Sequence, residues 1–245
     1  MSAKRKLALC FLIVLMSACA NVPIETDPNV MFKEGEALYV DKRYDDAIAQ
    51  YKKVRDAYAS TELSSSAELR IADSYFDSER FIEASSAYEE FKKLHPTHVK
   101  APYALYRMGL SNFNLITGTD RDQTPQKNTV VYFEEFLLKY PKSEYAADAG
   151  TKLEDVKRQQ LKYEQYVAGF YYRTEKYTSA IKRLEDALAA FPKHPAHDET
   201  WYLLGAAYVK TGDMDKAKNA FNRLSTEFPD SKFVLEASKL LEKHY

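Results

Sequence analysis

Five histidines are the residues best equipped for chemistry, and four form pairs spaced three apart, His95-Pro-Thr-His98 and His194-Pro-Ala-His197. Neutral imidazole binds zinc well, but a zinc site needs three or four protein ligands. The remaining histidine is His244, at the far C-terminus. Each pair carries a Pro and falls between apolar-periodic segments, so cap or turn roles are expected, with no metal and no cofactor. Asp120-Arg-Asp122 has alternating carboxylates like a calcium loop, but lacks the Gly and distal Glu of an EF-hand. It reads as a polar surface insertion. The carboxylate pairs Glu89-Glu90 and Glu134-Glu135 fall on helix faces and read as solvated. There is no Gly-rich phosphate loop, and no Ser-His-Asp set stands in a recognisable context. The two cysteines, Cys10 and Cys19, can build neither a disulfide framework nor a thiolate metal site. These residues offer no catalytic machinery, and the chain is read as not an enzyme.

The elements that position these residues come from the pattern of the whole chain. It has 245 residues, 45% of them hydrophobic and 29% charged, with a net charge of −1. That balance gives no field to attract nucleic acid. Opposite charges alternate along the chain, as on solvated helix faces. Only 7 glycines are present, against 19 tyrosines and 13 phenylalanines. Few glycines argue against an architecture of many tight β-turns.

The N-terminus is an address. Lys4, Arg5 and Lys6 precede the apolar run Leu7–Met16, and Ser17 and Ala18 follow. A basic stretch, a short apolar stretch and small residues make a secretory signal peptide. The run is too short for a spanning helix, which needs about twenty apolar residues. Leu15-Met16-Ser17-Ala18-Cys19 resembles the lipobox of bacterial lipoproteins, with Met16 where Leu is commonest. The resemblance implies cleavage after residue 18 and lipid attachment at Cys19. Ala20, which is not Asp, then implies sorting to the periplasmic face of the outer membrane. Cleavage removes three basic side chains and no acidic ones, taking the net charge to −4. Residues 19–27 read as the acylated Cys19 and a tether, whose eight residues Ala20–Asp27 reach roughly 25 Å at about 3.1 Å per residue.

From Asp27 the chain repeats itself. Segments beginning Tyr44, Phe81, Tyr177 and Met214 each place Ala three residues on, at Ala47, Ala84, Ala180 and Ala217, with a large apolar residue four further. Thr129 takes the small position in a fifth copy, before Phe133. Pro96, Pro141, Pro192 and Pro229 each follow a small position by twelve residues, where a Pro stops a helix. The recurring stops and the lack of a sustained heptad exclude a coiled coil. This resembles the tetratricopeptide repeat (TPR), most fully in the last copy, where Trp201, Leu204, Gly205, Tyr208, Ala217, Phe221 and Pro229 hold the signature positions.

The expected fold is all-α: a TPR-type α-solenoid of about five helix–turn–helix repeats with a C-terminal capping helix. The expected repeats run over about 28–63, 65–98, 102–142, 143–195 and 198–230, with the cap over 231–243. Spacings of 37, 45, 51 and 37 between the small positions exceed the 34 of the standard repeat. The surplus is assigned to an insertion over Ile116–Lys127, and to a long helix from about Glu144 to Arg173 with Ser143 as its N-cap. The cap is expected to bury Phe233, Leu235, Leu240 and Leu241. By periodicity Glu36, Tyr39, Arg70, Asp73, Phe76, Tyr106 and Phe113 point into a concave groove. A mixed aromatic and charged lining suits an extended, strand-like peptide.

The lipobox, the repeats, the segment Tyr103-Ala-Leu-Tyr-Arg-Met-Gly-Leu110 after His95-Pro-Thr-His98, the insertion from Asp120, and Tyr140-Pro-Lys-Ser-Glu-Tyr145 together resemble the BamD family. Tyr163-Glu-Gln-Tyr-Val-Ala-Gly-Phe-Tyr171 extends the likeness. BamD proteins are outer-membrane β-barrel assembly lipoproteins. The resemblance implies a lipid-anchored periplasmic scaffold of the BAM complex. It would bind the POTRA domains of BamA through its C-terminal repeats, other BAM subunits, and unfolded barrel proteins through its N-terminal repeats. It also implies that Arg183, with Glu185, in Lys182-Arg-Leu-Glu185 faces BamA. Another TPR lipoprotein scaffold, a pilus-secretin pilotin or a peptidoglycan-synthesis coordinator, would share anchor and repeats but lack the insertion and the Tyr-Pro-x-Ser-x-Tyr stretch.

Overall fold

The computed structural model describes residues 27–57, 62–118, 122–192 and 194–243. The signal peptide, Cys19 and nearly all of the tether lie outside these residues, as do Asp120 and Arg121 of the insertion. The described residues form eleven α-helices and no strand. They are α1 (Pro28–Val40), α2 (Tyr44–Ala57), α3 (Glu62–Asp77), α4 (Phe81–Leu94), α5 (Ala101–Asn114), α6 (Thr124–Lys139), α7 (Ala146–Arg173), α8 (Tyr177–Ala190), α9 (Asp198–Thr211), α10 (Met214–Glu227) and α11 (Lys232–Glu242). The chain divides into two compact units, the first ending at Glu68 and the second starting at Leu69.

The small-then-large rule of the sequence is the rule of the packing. In the first unit Ala47 and Tyr51 on α2 are fully buried. A Cβ on Gly35 of α1 would lie 2.6 Å from the Tyr51 ring, so only Gly lets the two helices approach this far. The second unit repeats the contact with Gly109 against Phe133 and Gly205 against Phe221. Ala72 faces the core with Tyr88, and Ala168 with Leu184. Thr129 is fully buried where the other copies have Ala, and its hydroxyl donates to the Pro125 carbonyl of its own helix at 2.8 Å. That bond removes the cost of burying an unpaired hydroxyl.

Within the second unit, consecutive helices pack side by side from α4 to α10, and α11 lies against α9 and α10. Two hydrophobic cores form. One gathers Tyr88, Phe91, Leu105, Met108, Phe133, Phe136, Ala149 and Leu153; the other gathers Ala168, Leu184, Leu204, Phe221, Leu224 and Ala237. Helix α7, 28 residues long and so about 42 Å at 1.5 Å per residue, contributes to both.

Two kinds of turn recur. Between paired helices, α3 ends with Glu79 N–H donating to the Phe76 carbonyl and Arg80 N–H to the Tyr75 carbonyl, the doubly bonded Schellman reversal. The same bonds close α1 at Lys42 and Arg43, and α7 at Glu175 and Lys176. This reversal needs a left-handed residue, and Lys42, Glu79 and Glu175 take it at φ 59°, 61° and 61°. Gly212 takes it after α9 at φ 82°. Few glycines are therefore compatible with four tight reversals, because three use side chains that tolerate the conformation at some cost.

The second kind of turn joins one hairpin to the next. Two residues after each recurring Pro stands His98, Ser143, His194 or Ser231. Each side chain accepts a hydrogen bond from the amide two residues on: Lys100 to His98 Nδ1 at 3.0 Å, Tyr145 to Ser143 Oγ at 3.4 Å, Ala196 to His194 Nδ1 at 3.1 Å and Phe233 to Ser231 Oγ at 3.3 Å. The expected turn role of the histidines is realised in this bond.

Three expectations are corrected. The long helix begins at Ala146, not Glu144, because Ser143 is used in the preceding turn and Tyr145 occupies the N-cap. The insertion is shorter than expected, since its last residues, from Thr124, form the first turn of α6; Asp122 accepts from the Thr124 amide at 2.9 Å. On the capping helix Leu235 is 61% exposed, and Ala237 is buried instead. Leu235 and Phe233 are two apart on α11, so they point away from each other.

Candidate functional site

Helix α3 sends Asp73 into a cluster of aromatic and charged groups with α4 and α5. Its Oδ1 accepts from Tyr88 Oη at 2.5 Å and Tyr103 Oη at 2.8 Å. The Arg107 guanidinium donates from Nε to Tyr88 Oη at 3.0 Å and lies over the Phe76 ring at 3.6 Å. Arg70 stands 3.7 Å from the other Asp73 oxygen. Burial pushes the Asp73 carboxyl above the usual carboxylate range, against the two tyrosyl hydrogen bonds and the nearby arginines. Burial, with Asp73 second, also pushes the Tyr88 and Tyr103 hydroxyls well up. Both hydroxyls therefore stay protonated and available to donate. Asp73 is thus a buried anchor of the network, only 7% exposed, and not an open lining residue.

A second cluster continues along α5 and α7. Tyr106 stacks on Tyr145 with ring centroids 4.6 Å apart and donates to Asp148 Oδ2 at 2.6 Å. Lys152 donates to the other oxygen of Asp148 at 2.7 Å and its ammonium lies 5.5 Å from the Phe113 ring centroid. Burial would raise the Asp148 carboxyl, but Lys152 and Tyr106 outweigh it and hold it down. Tyr103 and Tyr145, with centroids 5.9 Å apart, join the two clusters. Arg70, Asp73, Phe76, Tyr106 and Phe113 of the expected groove are therefore linked in one aromatic and charged strip of the second unit.

Glu36 and Tyr39 belong to the first unit. Glu36 accepts from Tyr51 Oη at 2.6 Å, and Tyr39 meets Tyr44 edge-on at 5.6 Å. Periodicity alone missed Tyr88, Tyr103, Arg107, Tyr145 and Asp148. One signal was legible: Arg107 follows Tyr103 by four residues, so the two share a helix face.

Arg183 and Glu185 are not brought together. Arg183 projects from α8 toward α7, where its Nη2 donates to Glu164 Oε1 at 3.3 Å. Its Nε is 2.6 Å from Glu164 Oε2, but off the line of a hydrogen bond. The pair lies in a cleft of about 700 Å³ that also has Lys127, Tyr163, Tyr171 and Lys182 on its walls. Glu185 projects the other way and accepts from Tyr208 Oη of α9 at 2.5 Å. It borders a separate cleft of about 720 Å³ floored by Trp201, Leu188 and Leu204.

Glu134 and Glu135, expected to be simply solvated, bridge helices. Glu134 pairs with Lys157 of α7 at 2.8 Å, and Glu135 with Lys92 of α4 at 2.8 Å. Among the described residues, no group of three or more His, Cys, Asp or Glu side chains is placed to hold a metal ion. No described helix is long and apolar enough to cross a membrane.

The sequence model of a protein family described as outer membrane lipoprotein, YfiO, matches residues 24–224. The chain belongs to this family. The match to the outer membrane lipoprotein family opens just before α1 and ends within α10, so it takes in both clusters, the Arg183 cleft and most of the lining of the Trp201 cleft. The chain is 28% identical over 214 residues to an outer membrane protein assembly factor BamD of Rickettsia prowazekii, covering 87% of this chain and 85% of that one. It is 27% identical over 253 residues to a BamD of Neisseria meningitidis, covering 96% and 95%. Among solved structures it is similar to the TPR2AB domain of yeast Sti1, at 14% identity and a TM-score of 0.45 over 88% of this chain and 84% of that one.

Proposed function

We propose that this chain is a lipid-anchored periplasmic scaffold for outer-membrane β-barrel assembly. It would bind the POTRA domains of BamA and unfolded barrel proteins, and it would perform no chemistry. The observation that carries the reading is membership of the outer membrane lipoprotein family along both compact units, with relatives named as outer membrane protein assembly factors. Acylated Cys19 would hold the chain at the periplasmic face of the outer membrane. Confinement of scaffold and partners to one surface raises their effective concentration without any new contact.

The strip from Arg70 through Phe76 to Phe113 in the second unit suits an extended segment of an unfolded barrel protein. Aromatic rings accept alternate side chains, and tyrosyl and charged groups take main-chain polar atoms. Arg183, in its cleft, suits a carboxylate of BamA; it would exchange the singly hydrogen-bonded Glu164 for a partner carboxylate that its planar guanidinium can hold with two bonds. Glu185, engaged with Tyr208, is assigned a role in holding α8 on α9.

The test is extraction of the tagged full chain in detergent and identification of what co-purifies. A POTRA-bearing barrel protein is expected, and Arg183→Glu should reduce its yield about tenfold or more, since truncating a buried charge pair costs roughly 2–5 kcal/mol. A secretin or a cell-wall synthase in its place would refute the reading. Retention of the barrel protein by Arg183→Glu would refute the Arg183 assignment alone.

A further inference from the structure

Among the described inter-hairpin turns, the one joining α8 to α9 is held by a deeply buried histidine and the others are not. His194 is 5% exposed and its Nδ1 accepts from the Ala196 amide at 3.1 Å. An accepting Nδ1 leaves the imidazole proton on Nε2. That nitrogen is buried with no protein partner, so the neutral ring already has one donor unsatisfied. A second proton could enter only at Nδ1, setting an N–H against the Ala196 N–H.

We propose that this turn is an acid-responsive joint. Protonation of His194 breaks the hydrogen bond that closes it and unlatches the α9–α10 hairpin from α8.

The surroundings give the imidazolium no net compensation. From α7, Glu154, Lys157 and Arg158 face His194. Lys157 is tied to Glu134 at 2.8 Å and Arg158 to Asp155 at 3.3 Å, and the one anion is outnumbered by the two cations. In the turn itself His197 stands 6.1 Å away, centroid to centroid. Its Nε2 lies 2.5 Å from the Phe191 carbonyl and so donates, which leaves Nδ1 facing Thr200 Oγ1 at 3.3 Å. Thr200 in turn accepts from Gln165 of α7 at 3.0 Å. From the first turn of α9, Asp198 accepts from Ser231 at 2.7 Å and is engaged elsewhere. Burial first, and then His197, press the His194 ring below its ordinary value. An imidazole depressed in the folded state stabilises the fold fully above its unfolded value of about 6.5, and this contribution is lost as pH falls from there through the folded value.

The other inter-hairpin turns supply the controls. Ser143 and Ser231 make the same bond with a hydroxyl that does not titrate. His98 makes it with an imidazole in a more open turn.

Amide exchange at Ala196 and through the first turn of α9, measured on the full chain and corrected for the intrinsic pH dependence of exchange, tests the joint. Between pH 7.5 and 4.5 protection there is expected to be lost progressively as the pH falls. His194→Ser, which installs the side chain used at residues 143 and 231, is expected to keep its protection throughout. His98→Ser is expected to lose it as the parent does. Constant protection in the parent, or an equal loss in His194→Ser, overturns the proposal. If His194→Ser does not fold, titration of the His194 ring protons by NMR in the parent decides. A midpoint below 6.5 supports the joint, and one at or above 6.5 overturns it.

Discussion

Gly109 and Gly150 are both helical glycines, yet they sit in opposite environments. A Cβ on Gly109 would strike the fully buried Phe133 ring, whereas a Cβ on Gly150 meets nothing within 4 Å. Phe133 cannot swing aside, because Tyr106 and Met108 belong to the same core. Gly109→Ala is therefore expected to destabilise the chain by about 1–3 kcal/mol, the usual range for overpacking. Gly150→Ala should stabilise it by roughly 0.5–1 kcal/mol through helix propensity. Denaturant midpoints measured side by side check both, and a loss at Gly150 equal to that at Gly109 would refute the packing account. The same contrast governs the acidic residues. Asp73 sits among donors that depend on it, and Asp148 is held ionised by Lys152. Their shared function is to fix the tyrosines in place.

At the scale of the elements, the α3–α4 and α7–α8 reversals carry Glu79 and Glu175 in a left-handed conformation that costs an ordinary side chain roughly 1–2 kcal/mol. Replacing Glu79 with Gly should recover part of that cost, offset by the greater freedom of Gly in the unfolded chain. A net gain of up to about 1 kcal/mol is expected, seen as a rise in the thermal midpoint; a fall would mean that the Glu79 side chain makes a contact worth more than the strain. These turns also show where sequence reading works. Helices, the small positions and the stopping prolines were legible because each obeys a period or a hard steric rule. The two clusters were only half legible. Arg70 and Phe76 follow from helical phase, but Tyr88, Tyr103 and Arg107 join them through contacts between helices, which no single-helix period encodes. The divergence of Arg183 and Glu185 was readable in principle, since residues two apart on a helix do not face each other. Glu89, Glu90 and Glu134 are exposed, as their helix faces suggest, but the ion pairs of Glu134 and Glu135 were not legible because their partners, Lys157 and Lys92, come from neighbouring helices.

For the whole molecule the notable fact is how α7 is shared. Its Ala149 and Leu153 lie in one core of the second unit and its Ala168 in the other, so neither core is complete without it. Leu153→Ala is expected to cost about 2–5 kcal/mol and to lower amide-exchange protection in both cores together. If protection around Leu204 and Phe221 survives while that around Leu105 and Phe133 falls, the two cores open independently. Repeat arrays ordinarily tolerate loss of terminal units, since each touches only its neighbours. Here that modularity fails at one place. A chain shortened to end after α6 would leave the Phe133 core without its α7 side, and a fragment starting at α8 would lack Ala168. A viable genetic dissection of this protein has to keep α7 whole in any piece that carries either half, and no single cut can give it to both.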